Sequence, residues 1–253
     1  MKAVVNVARY TLKENARSRS FSLSILFIIF VFVSAFVFSR LSQIVETRAI
    51  RDIGLGAIQF FSLITVLFFA IKVALLECLN KTIYLPLTRP VKRTEYLFGR
   101  AAGIVLAAAL EITAMGVLLT LLLVLKKAEL SGFYFLCYLF IFLKITMITA
   151  VAVLVSLACT SQASAFIFSF LIWMAGHILG EIEFLLEKLP AAMTVVLKVI
   201  RWILPNYTVL NLQDYVSGRF LTTGGYAPAI LYALFYTFAV MCLAAVVFEK
   251  KEF

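Results

Sequence analysis

Long apolar runs separated by short polar stretches set the pattern of this chain. A helix needs about 20 predominantly apolar residues to cross the hydrocarbon core of a bilayer. Five segments meet that length: Phe21–Ser39, Ile53–Leu76, Leu97–Leu125, Phe133–Ser156 and Ala227–Phe248. A sixth, Ala163–Leu179, is shorter but holds no Asp, Glu, Lys or Arg. The pattern therefore predicts an all-α polytopic membrane protein with six transmembrane helices, a single domain over residues 1–253.

Two stretches outside these spans carry a different periodicity. In residues 1–19, Val4, Ala8 and Leu12 recur at i, i+4 and i+8, and Arg9, Lys13 and Arg17 form a basic row at the same spacing. That is the signature of a helix lying along a membrane surface. Residues 181–204 are apolar but punctuated by Glu181, Glu183, Glu187, Lys188, Pro190, Lys198 and Arg201. Charges at mid-bilayer cost several kcal/mol each, so this stretch is expected as outer-face amphipathic helices between the fifth and sixth spans. They would break at Pro190 and stop at Pro205.

Composition agrees with the pattern. Of 253 residues, 64% are apolar and only 14% charged, with a mean hydropathy of +1.05; soluble domains carry about 25% charged residues. The net charge of +10 sits in the connections between apolar runs, which points to anionic membrane lipid and a cytoplasmic partner and away from nucleic acid. Lys and Arg concentrate in the N-terminal segment and in the connection after the second span. By the positive-inside rule both termini are cytoplasmic. The first apolar run is too long for a signal peptide and follows about 20 mostly polar or amphipathic residues, so it is expected to stay in the protein. Cys78, Cys137, Cys159 and Cys242 show no CxxC spacing and read as small packing residues.

Several chemistries lack their residues. No GxxxxGK[ST] loop cradles a phosphate, no HExxH is present, and the single His177 supplies too few imidazoles for zinc. No GxSxG elbow occurs, and no aspartate lies within a span. The chain is not expected to be an enzyme, nor to hold a cofactor or metal. Three ionisable residues do fall inside spans. Lys72 can snorkel to the headgroups, whereas Glu111 and Lys144 both fall near mid-membrane on neighbouring spans and are expected to pair.

The connection after the second span is the most elaborate. It runs from Glu77 through Lys81, Thr82, Tyr84, Leu85 and Pro86 to Thr88, Arg89, Pro90, Val91, Lys92, Arg93, and on to Leu97, Gly99 and Arg100. Two prolines force a break ahead of a basic cluster, more structure than a plain connector needs. The stretch resembles the first cytoplasmic loop of type-2 ABC exporter permeases: an acid, Gly-Thr, Leu-x-x-Pro, a Ser-Arg pair, then Gly-Lys. It departs with Lys81 for Gly, Lys92 for Ser and Arg100 for Lys. The N-terminal helix, the spans and Pro205-Asn206-Tyr207 extend the likeness along the chain.

The resemblance implies an exporter permease subunit in a bacterial or archaeal plasma membrane. It works as a homodimer or as a heterodimer with a second permease, and each copy docks a cytoplasmic ABC ATPase that carries the ATP and Mg. The docking residues it implies are Glu77, Thr82, Tyr84, Leu85, Pro86, Thr88, Arg89, Pro90 and Arg93, within a coupling loop at 77–96. The alternative is a secondary carrier or channel that needs no ATPase. The substrate is not written in the sequence.

Overall fold

The computed structural model describes residues 2–16, 21–38, 43–76, 93–128, 132–178, 203–211 and 226–250. All regular structure among them is helical, which satisfies the backbone hydrogen bonds within each segment, as a lipid surround requires. Helix α1 spans Lys2–Ala16, α2 Phe21–Phe38 and α3 Gln43–Ile71. A π-helical turn, Lys72–Leu76, continues α3. Then come α4 at Arg93–Leu125, α5 at Gly132–Ala158, α6 at Gln162–Ile178 and α7 at Tyr226–Lys250, with a 3-10 turn at Thr208–Leu210 before α7.

Each expected span coincides with one helix. Four of them, α3, α4, α5 and α7, are long and apolar enough to cross a membrane. Helices α2 and α6 are apolar but shorter over their described length. The helix boundaries follow local chemistry. Pro228 sits in the first turn of α7, where its missing N–H costs nothing. Helix α4 ends with Lys127 in the left-handed region (φ 54). There Ala128 N–H donates to the Leu123 carbonyl and Lys127 N–H to that of Val124, satisfying carbonyls that the helix end would leave open.

Helix α3 is the centre of the bundle, packed against α2, α4, α5 and α6, while α7 lies on α5 and α4. Ile58, Leu63, Val66 and Leu67 of α3 are completely buried. Helix α2 is apolar all round, with Phe32 and Phe36 outward and Phe27 edge-on to Phe61 of α3 at 6.1 Å. A helix with that distribution suits a lipid surround.

The basic surface helix is present as α1, but its inward face differs from the expected Val4, Ala8 and Leu12 stripe. Ala8, Thr11 and Asn15 are buried, Val4 and Leu12 half-buried, and Arg9 and Lys13 exposed. The reason is the start of α4. A Cβ on Gly99 would meet Val7 at 2.8 Å, and one on Gly103 would collide with the Thr11 side chain and the Ala8 carbonyl. These two glycines let α1 lie directly on the α4 backbone. Gly103→Val should force α1 off α4 at a cost of about 1–3 kcal/mol. A cysteine at position 11 should then react with an impermeable maleimide that ignores it beside Gly103, and an unreactive thiol in both backgrounds would refute the contact.

Candidate functional site

Polar groups buried in an apolar bundle must find partners inside it, and α3 carries them at four levels. At the end that bears α1, Lys72 in the π-helical turn donates to Glu14 Oε1 at 2.7 Å. Arg100 of α4 donates to Glu14 Oε2, also at 2.7 Å. The same guanidinium donates to the Tyr96 hydroxyl at 3.0 Å and to the Thr11 hydroxyl at 3.2 Å, and lies 5.5 Å from the ring centres of both Tyr10 and Tyr96. Only a planar fork reaches that many groups at once. A lysine at position 100 would therefore lose several of these partners.

At the opposite end of α3, Lys126 donates to Glu46 Oε1 at 2.6 Å. Glu46 and Lys72 are separated by about 39 Å of helix, close to the 40–45 Å of a bilayer with its headgroup layers. The two ion pairs thus have the spacing of the two faces of a bilayer.

Two further levels lie between them. Gln59 of α3 accepts from Lys144 Nζ of α5 at 3.3 Å. Its amide nitrogen is 3.1 Å from His177 Nε2 of α6. An amide NH2 can only donate, so Nε2 accepts and the ring proton is on Nδ1, which is 3.1 Å from the Trp173 carbonyl. Lys144 also donates to Asn211 Oδ1 at 3.0 Å. His177 stacks on Tyr207 with ring centres 5.0 Å apart. Tyr207 N–H donates to the Gly176 carbonyl, and a Cβ on Gly176 would meet the Tyr207 ring at 2.6 Å. The Pro205-Asn206-Tyr207 segment is thereby seated in the bundle. One helical level away, Thr65 of α3 donates to Glu111 of α4 at 3.0 Å.

The expected Glu111–Lys144 ion pair is not formed among the described residues. Each side chain turns toward α3, but at different levels: Lys144 meets Gln59 and Glu111 meets Thr65, about 9 Å apart along the helix. Depth alone had placed both near mid-membrane, and it carries no information about this offset. Arg93 opens α4 as an exposed residue. Glu77, Thr82, Tyr84, Leu85, Pro86, Thr88, Arg89 and Pro90 lie outside the described residues, as does nearly all of 181–204. Sequence reasoning missed Glu14, Glu46, Gln59 and Lys126. Their signal was a set of isolated polar positions within or beside apolar runs. No group of three or more potential metal ligands occurs among the described residues.

Comparison with known proteins adds no assignment: no family model matches the chain, and no curated protein matches it.

Two predictions follow from these partners. In a double-mutant cycle, Glu111→Gln and Lys144→Met should add to within about 0.5 kcal/mol, as for sites that share no partner. Non-additivity of several kcal/mol in micellar unfolding would restore the pair. Burial raises the Glu14 carboxyl, but hydrogen bonds and charge from Lys72 and Arg100 outweigh it and hold the group below its ordinary 4.5. A depressed carboxyl contributes stability that is present above 4.5 and is lost as pH falls through the folded value. Attachment of α1 should therefore weaken progressively below about pH 4.5. Glu14→Gln should already be loosened at neutral pH and show no further acid step, as followed by proteolysis of the N-terminal segment.

Proposed function

We propose that this chain is the permease subunit of an ATP-binding cassette exporter, crossing the membrane six times with both termini cytoplasmic and driven by a separate ATPase. The observation that supports the reading is the Glu14 clamp. Residues 77–92 leave α3 just after Lys72 and return to α4 just before Arg100, and one carboxylate on α1 holds both flanks. A segment that transmits force from a soluble partner needs such fixed ends, since a push on loose flanks would be absorbed locally. The proline breaks and the basic cluster of Arg89 and Arg93 give the segment a shape and charge suited to docking. In this reading the α1 face is cytoplasmic, 181–204 forms the outer-face helices, and a second permease completes the path.

The buried Lys144–Gln59–His177 chain gives some support to a secondary carrier, since intramembrane polar groups often mark transport paths. Carriers of that kind bind at helices broken near mid-membrane. Among the described residues the only departure from α-helical winding in a span is the π-helical turn at Lys72–Leu76, at one end. The exporter reading is therefore preferred.

Co-purification with a phosphate-loop ATPase from the same operon tests it. The isolated chain should bind no nucleotide, and the complex should hydrolyse ATP. Arg93→Glu should lower recovery of the ATPase severalfold while membrane insertion stays unchanged. ATP binding by the isolated chain, or nucleotide-independent transport in proteoliposomes, would overturn the proposal.

A further inference from the structure

A groove of about 630 Å³ runs between α4 and α5 on the outside of the bundle. It is bordered by Thr113, Val117, Leu121 and Val124 of α4 and by Phe135 and Tyr138 of α5. Val117, Leu121, Val124 and Phe135 are exposed. The groove exists because Tyr138 is drawn inward at Gly116. The tyrosine hydroxyl lies 3.1 Å from the Gly116 carbonyl and 3.1 Å from the Thr120 hydroxyl, with the Tyr134 hydroxyl beside it. These polar atoms satisfy one another, so the surface left to an occupant is apolar. Along α4 the lining extends from Ala109 to Val124, about 22 Å, which exceeds the roughly 15 Å that one leaflet contributes to the hydrocarbon core.

A cation follows the lining along the chain, three residues past Val124. Helix α4 ends at Leu125, and two residues on the backbone of Lys127 turns out at φ 54. Lys126 gives its ammonium to Glu46. Lys127 is exposed, and among the described residues it forms no ion pair. At the end of a span this charge lies at headgroup depth.

We propose that the α4–α5 groove is a binding site for an anionic phospholipid of the bilayer, one acyl chain lying along Val117 and Leu121 and the phosphate meeting Lys127. The length of the groove along the span, its apolar lining and the exposed cation just beyond its end are what such a molecule requires. The site is independent of the exporter reading, and neither stands or falls with the other.

Leu121→Trp places an indole in the groove, and fluorescence quenching by brominated-chain phosphatidylglycerol and phosphatidylcholine in vesicles reports which lipid occupies it. Quenching is read as the difference from the unsubstituted chain, which already holds two tryptophans. The anionic lipid should associate about fivefold more strongly than the zwitterionic one, the preference expected from one cation near the surface. That ratio should fall close to one when Lys127→Gln is added. Phe235→Trp, on the exposed face of α7, should show no comparable preference. Equal quenching by the two lipids at position 121 would overturn the proposal. So would an unquenched indole together with disulfide crosslinking of two chains through Val117→Cys, which would put a second copy in the groove.

Discussion

A polar group that cannot reach water must be paired inside the bundle, and on α3 this condition fixes the register of several helices around it. Glu46 takes Lys126, Gln59 takes Lys144 and His177, Thr65 takes Glu111, and Lys72 takes Glu14. Two of these partners are on α4, met in antiparallel order along its length, with Leu119 packed over Gly54 between them. Apolar contact alone would leave that register free to slip, because a lipid tail solvates a leucine as well as another leucine does. Two ion pairs at the membrane faces and two hydrogen-bonded levels between them remove the freedom.

The cost of misplacing each level is not equal. Lys72 and Lys126 are each partly exposed at a membrane face, where water and screening make an ion pair worth little. Lys144 is buried to 2% exposure, so its donors must be satisfied by Gln59, Asn211 and its further contacts. That is why the segment around Asn206–Asn211 returns into the bundle instead of staying at the surface. Asn206 fixes the turn by accepting from the Thr208 N–H at 3.1 Å, and its own N–H donates to the Tyr232 hydroxyl of α7 at 2.9 Å. One buried ammonium thus brings α3, α5 and the loop before α7 to a single point.

The apolar helices were legible in the sequence because bilayer thickness sets a length and a composition that one dimension can carry, and four of them are long enough to cross a membrane. Phe133–Ser156 became Gly132–Ala158, and Ala163–Leu179 became Gln162–Ile178. What failed was direction around the helix. Glu111 and Lys144 share a depth but not a neighbour, and only the facing of Thr65 and Gln59 on α3 separates them. In α1 the stripe of Val4, Ala8 and Leu12 was visible, yet the inward face rotated to Ala8, Thr11 and Asn15, since the glycine ledge on α4 offered a closer seat than lipid. The two signals lie about 90 residues apart, beyond the reach of any periodicity. The docking residues from Glu77 to Pro90 fall outside the described structure, so their reading still rests on the sequence pattern.

Small residues decide what a neighbouring helix can do next. In lipid, an exposed apolar face gives no drive toward association, and close approach of backbones does. Gly99 and Gly103 are already filled by α1, Gly176 by the Pro205–Tyr207 segment, Gly54 by Leu119 and Gly116 by Tyr138. These five glycines are thus filled from within the chain. Gly56 differs, since a Cβ added there would meet nothing within 4 Å. Elsewhere on α4 and α7 a second copy of the chain would meet leucine, valine and phenylalanine side chains such as Leu121, Val117 and Phe235. A contact of that kind keeps helix axes apart and lets lipid compete for the surface, so association through it would have to draw its stability from outside the membrane.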